Sequence, residues 1–105
     1  MKVQHALMLT AGLMLSAPVL AEDGAALMKK NNCTTCHQVD KKTVGPALKS
    51  IAAKYAGDAG AAAKLEKKVR SGGAGSFGTM PMPATPAKAS DEDIKVMVTH
   101  ILATK

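Results

Sequence analysis

Residues 33–37 read Cys33-Thr34-Thr35-Cys36-His37, two cysteines three positions apart with a histidine directly after the second. C-x-x-C-H is the spacing that attaches a c-type haem. Each thiol can form a thioether to a vinyl group of the porphyrin, and the adjoining imidazole is a ligand for its iron. Zinc is a poorer reading, because these are the only cysteines and the other histidines, His5 and His100, stand at no finger-like spacing from them. A thioredoxin-like thiol centre is poorer still. It needs βαβ strands, and a chain with one Tyr, one Phe and no Trp lacks the residues that build them.

Ahead of this motif, Lys2 and His5 precede an apolar run from Ala6 to Leu15, and Ser16-Ala17-Pro18-Val19-Leu20-Ala21 ends in small-residue cleavage chemistry. The pattern predicts a secretory signal peptide over residues 1–21 and a mature domain over 22–105. The apolar run is shorter than the roughly 20 residues of a membrane span, so no stable membrane insertion is expected. A domain this small buries little core of its own and needs an added staple. A porphyrin tied down at Cys33 and Cys36 serves as one, and it explains why aromatic residues are only 2% of the chain: the large flat apolar object is the cofactor.

The chain carries a formal net charge of +6. Lys29-Lys30, Lys41-Lys42, Lys49, Lys54 and Lys67-Lys68 with Arg70 are candidates for a positive face that steers the protein to an acidic partner and loses strength in salt. Solvated helix faces account for such runs equally well. Nucleic acid is not an expected partner, because no aromatic residues interleave with the basic ones.

Four helices are legible. Asp23 to Asn32 opens on an acidic residue, continues through Ala25-Ala26-Leu27-Met28-Lys29-Lys30 and ends in two asparagines. Leu48, Ile51, Ala52 and Tyr55 recur at i, i+3, i+4 and i+7 between Gly45-Pro46 and Gly57. A third helix is expected from an Asp58 cap to Arg70, with Ala62, Leu65 and Val69 on one face and Gly72-Gly73 after its end. Ser90-Asp91-Glu92-Asp93 has the form of a capping box, and Ile94, Met97, Val98, Ile101 and Leu102 make the apolar face behind it.

Between the third and fourth helices, Gly72-Gly73-Ala74-Gly75-Ser76-Phe77-Gly78-Thr79-Met80-Pro81-Met82-Pro83 can only be a loop. A loop that long in a compact domain is functional or disordered, and its methionines argue for function. An iron held by His37 on one face either keeps its other face open or closes it with a second side chain. A thioether is a soft ligand that raises the potential, and the flanking prolines fix the backbone of Met82, which makes it the candidate. The alternative is that Met80 and Met82 fill gaps beneath the loop. His100, Met28 and Met97 read as packing residues of the helices.

Taken in order, the first helix, Cys33-Thr34-Thr35-Cys36-His37, Val44-Gly45-Pro46-Ala47, Ala52-Ala53-Lys54-Tyr55, the glycine-rich turn, Met80-Pro81-Met82-Pro83 and the last helix resemble the small monohaem class I cytochromes c of bacteria, the cytochrome c-551/c-552 group. The resemblance implies an all-α cytochrome c fold of about four helices wrapped around one covalently attached haem c. It implies His37 and Met82 as axial ligands and Cys33 and Cys36 as thioether anchors. The Pro46 carbonyl would accept a hydrogen bond from His37, and Tyr55 and Phe77 would pack on the haem. Three positions depart from the group. Phe77 stands where it usually has a tryptophan that donates to a propionate, which leaves Lys68 and Arg70 as candidate propionate contacts. His100 replaces an aromatic residue at the crossing of the first and last helices, and Met80 replaces an aliphatic one.

Iron with His and Met on its two faces has no vacant position for a substrate, so it changes only its electron count. The expected function is a monomeric periplasmic electron carrier, not an enzyme. Its partners, by resemblance, are a membrane cytochrome complex and a terminal oxidase, nitrite reductase or peroxidase. A haem enzyme or gas sensor with a labile sixth ligand is the alternative, and a haem-free thiol oxidoreductase is a third class.

Overall fold

The computed structural model describes residues 23–105. The signal-peptide expectation over residues 1–21 therefore lies outside the described residues. Within them the chain forms α1 (Gly24–Lys30), a short 3₁₀ turn (Cys33–Thr35), α2 (Leu48–Lys54), α3 (Ala61–Ser71) and α4 (Asp91–Leu102). Among the described residues there is no strand, and the fold is all-α, as expected.

Each helix starts where local chemistry can satisfy its free N–H groups. At α1 the Asp23 carboxylate accepts the Ala26 N–H at 2.8 Å. At α4 the capping box is complete, with the Ser90 hydroxyl accepting from the Asp93 N–H at 3.0 Å and the Asp93 carboxylate accepting from the Ser90 N–H at 3.1 Å. α2 has no side-chain cap. The carbonyls of Gln38 and Val39 accept its Leu48 and Lys49 N–H groups instead, at 2.8 and 3.1 Å, so the stretch after the cysteine motif is fastened to this helix.

α3 corrects two expectations. Its cap residue is Gly60, and Asp58 lies outside the helix, accepting the Gly60 N–H at 2.8 Å and an ion pair from Lys64 at 2.8 Å. Its buried face is Ala61, Leu65 and Val69, while Ala62 is exposed. Both alanines fit a helical spacing to Leu65, and periodicity alone does not separate i+3 from i+4.

The core is arranged around α4, which packs against α1, α2 and α3 in turn. Ile94, Met97, Val98 and Ile101 point into that junction and meet Leu27 and Met28 of α1, Leu48 and Ile51 of α2, and Leu65 and Val69 of α3. Met97 and Val98 are each 1% exposed, the most completely enclosed large side chains. At the α1–α4 crossing Gly24 and His100 are in close contact: a Cβ built at residue 24 would fall 2.3 Å from that of His100.

Candidate functional site

A cavity of about 720 Å³ opens between α2, α3 and the two long loops. Its walls are mostly apolar and include Cys33, Cys36, His37, Pro46, Tyr55 and Met82, so residues far apart in sequence converge on one space. Phe77, Lys68 and Met80 also line it.

The cysteine motif enters this wall as a tight turn. Asn32 takes the left-handed conformation at φ 61°, and the carbonyl of Cys33 accepts the N–H groups of Cys36 and His37 at 3.2 and 2.9 Å. The Cys36 carbonyl then accepts the Gly45 N–H at 2.9 Å and the Thr43 hydroxyl at 2.6 Å, closing the loop that brings Gly45 and Pro46 back to His37. Both cysteines are half-buried on the cavity wall and not paired with each other. Burial is the chief cause that pushes the Cys33 thiol up from its ordinary value, with the neighbouring Cys36 adding to it.

His37 is fixed by two neighbours. Its Nδ1 lies 2.8 Å from the Pro46 carbonyl, which can only accept, so Nδ1 carries the proton and Nε2 keeps its lone pair. Gly45 lies against the ring: a Cβ there would stand 2.6 Å from Cε1 and 2.9 Å from Nδ1. Gly45 and Pro46 thus set the tautomer and the tilt of the imidazole.

Met82 is held by its backbone. Gly73 and Met82 exchange both N–H···O=C bonds at 2.9 Å, a single antiparallel bridge at the base of the loop. Proline on either side removes the adjacent donors, which leaves the Met82 N–H to fix the register. Gly72 ends α3 at φ +69°, and a Cβ there would collide with the Met82 carbonyl at 2.4 Å. The Met82 side chain is half-buried and packs on the core, whereas Met80 is 65% exposed.

Of the two candidate propionate contacts, the cavity receives one. Lys68 is on its wall, but Arg70 faces away. Its guanidinium donates to the carbonyls of Ala89 at 2.7 Å, Pro86 at 3.3 Å and Thr85 at 3.4 Å, and pairs with Asp91 at 2.9 Å. Arg70 fastens the segment after Met82 to the start of α4. Residues 68 and 70 of a helix point about 200° apart, which sets the two side chains on opposite sides of α3.

Sequence reasoning missed Lys54, beyond counting its charge. Its ammonium donates to the Ser76 carbonyl and lies 4.5 Å from the centre of the Phe77 ring. Lys54 ends α2 and Phe77 follows α3, so no local pattern in the sequence signals their meeting.

The donor set and the space fit a covalently attached haem. Two thiols and an imidazole with a free Nε2 share one apolar cavity of cofactor size with a thioether. Among the described residues no cluster of three or more His, Cys, Asp or Glu is present that would hold a bare metal ion.

Comparison with known proteins gives the same answer. A family model described as cytochrome c matches residues 21–105. Cytochrome c-551 of Stutzerimonas stutzeri is 40% identical over 104 residues, covering 99% of this chain and 98% of its own. Cytochrome c-552 of Nitrosomonas europaea is 49% identical over 85 residues, 81% of this chain and 82% of its own. The crystal structure of wild-type Nitrosomonas europaea cytochrome c552 superposes with a TM-score of 0.72 at 51% identity, over 77% of this chain and 99% of that one.

Proposed function

The chain belongs to the cytochrome c family, as a class I c-type cytochrome of the c-551/c-552 group with one covalently attached haem c, and from there we propose that it is a periplasmic carrier of single electrons whose iron is closed by His37 and Met82. The observation that carries this reading is the convergence on one cavity of a half-buried thioether and of an imidazole whose other nitrogen is already committed to Pro46.

When bound, the haem supplies the ferric/ferrous couple. The protein's residues do the rest. Cys33 and Cys36 anchor the cofactor by thioethers, and the Pro46 carbonyl makes His37 a better donor by polarising its Nδ1–H. With the haem bound, Met82 would supply the second ligand to its iron, which would leave no position for water or substrate and no proton to move with the electron. Tyr55 and Phe77, on the cavity wall, would pack on the cofactor, and Lys68 would meet a propionate. This arrangement is that of a carrier and not of an enzyme.

The partners are redox proteins: a membrane cytochrome complex as donor, and a terminal oxidase, nitrite reductase or peroxidase as acceptor. Val44 and Phe77 are exposed apolar residues around the cavity and Lys42 lies on its wall, so a small interface with an acidic partner, weakened by salt, suits a monomer that must also dissociate. Residues 1–21 export the chain and are removed.

Visible spectra of the exported protein test the reading. Sharp low-spin bands that carbon monoxide does not alter on reduction are expected. A reduced spectrum shifted by carbon monoxide would mean an open iron and replace the carrier with an enzyme or sensor.

A further inference from the structure

The loop that bears Met82 is attached to the protein at two levels. At its base is the Gly73–Met82 bridge, and above that the Gly75 N–H donates to the Gly78 carbonyl at 3.0 Å, folding the tip into a turn. The tip itself is joined to a helix through Lys54, the last residue of α2. Its Nζ donates to the Ser76 carbonyl and stands 4.5 Å from the Phe77 ring centre and 5.9 Å from that of Tyr55. One ammonium thus ties the backbone of residue 76 and the ring of residue 77 to a helix whose inner face is in the core.

We propose that Lys54 is a positioning residue for Met82, a latch that holds the 72–83 loop closed across the cavity. The proposal rests on the reading of Met82 as the second axial ligand. For that thioether to leave the iron the loop must swing outward, and with the tip fastened the base bridge cannot open without also breaking the charge-assisted hydrogen bond and the contact between cation and ring. An aromatic ring without a donor suffices at position 77 because its face, not its edge, is used.

The test uses the haem-loaded ferric protein. Imidazole is mixed with it in stopped flow, and its displacement of Met82 is followed by loss of the methionine-to-iron charge-transfer band. Lys54→Met and Phe77→Leu should each accelerate displacement roughly ten-fold, the loss expected for a hydrogen bond of a charged group or a cation–ring contact. The double variant should be no faster than the singles, and Lys54→Arg, which keeps the positive charge and the N–H donors, should retain a rate near wild type. Amide hydrogen exchange should rise at residues 74–80 of Lys54→Met while the amides of α3 and α4 keep their protection. Displacement at the wild-type rate in Lys54→Met would overturn the latch, and so would exchange rising throughout the domain. A wild-type protein lacking the charge-transfer band, or a Met82→Ala protein retaining it, would instead overturn the Met82 assignment and the latch with it.

Discussion

Gly45 and His37 are in such close contact that the ring occupies the space of a side chain at position 45, with Cε1 only 2.6 Å from where a Cβ would be. Because the ring is also bonded to Pro46, it has no free direction in which to yield. Gly45→Ala should therefore cost about 1–3 kcal/mol, the usual price of overpacking. It should also tilt the imidazole away from the Pro46 carbonyl. Denaturant unfolding and the ferric spectrum check both effects, and a variant with wild-type stability would contradict the contact.

Met82 and Met80 are two residues apart but differ in environment, one packed on the core and the other 65% exposed. Met82→Ala should open the iron to carbon monoxide and lower the reduction potential by a sizeable part of the roughly 0.8 V over which axial ligands tune haem. Met80→Ala should leave the potential and the spectrum near wild type. Spectroelectrochemistry of the two variants decides the assignment, and the reverse pattern would transfer it to Met80.

Arg70 and Lys68 should behave differently although they share a helix. Arg70→Gln removes the bonds to Ala89 and Asp91 and should cost about 1–3 kcal/mol in denaturant unfolding, with the potential unchanged. Lys68→Gln removes a charge from the cavity wall and should lower the potential with little effect on stability. A shift of potential in Arg70→Gln would restore its propionate role.

The Asp58–Lys64 pair gives a signed pH dependence. The hydrogen bond from Lys64, followed by that from the Gly60 N–H, holds the Asp58 carboxyl below its ordinary value of 3.8. The folded state thus favours the ionised form, and the contribution to stability is present above that value and lost as pH falls through the folded one. The same pair raises Lys64 above 10.5, so its share is present below that value and lost at higher pH. Lys64 is exposed and Asp58 half-exposed at the surface, so the effect is small. Urea unfolding across the acid range should show wild type and Asp58→Asn differing at neutral pH and converging in acid.

Much of this was written in patterns that physics makes local. The α4 capping box, the apolar faces of α2 and α4 and the C-x-x-C-H spacing each depend on residues within a few positions of one another. The parts that were not legible depend on three-dimensional meetings. Asp58 looks like a cap, but only the chain's path shows that Gly60 holds that place. Arg70 reads as cavity charge until the helix phase turns it toward Ala89 and Asp91. Lys54 and Phe77 are separated by α3 and a turn, and no periodicity links them.

The placement of α4 bears on the order in which this chain can fold. α4 is the last helix in sequence, and it is the one against which the other three pack. Until residues 91–102 are available, α1, α2 and α3 have no shared surface, and closing Gly24 onto His100 demands nearly the longest loop the described chain can make. The cysteine motif sits near the opposite end, so it is synthesised well before the core that will enclose it. Cys33 and Cys36 are thus reachable for modification in any chain whose final helix has not yet docked.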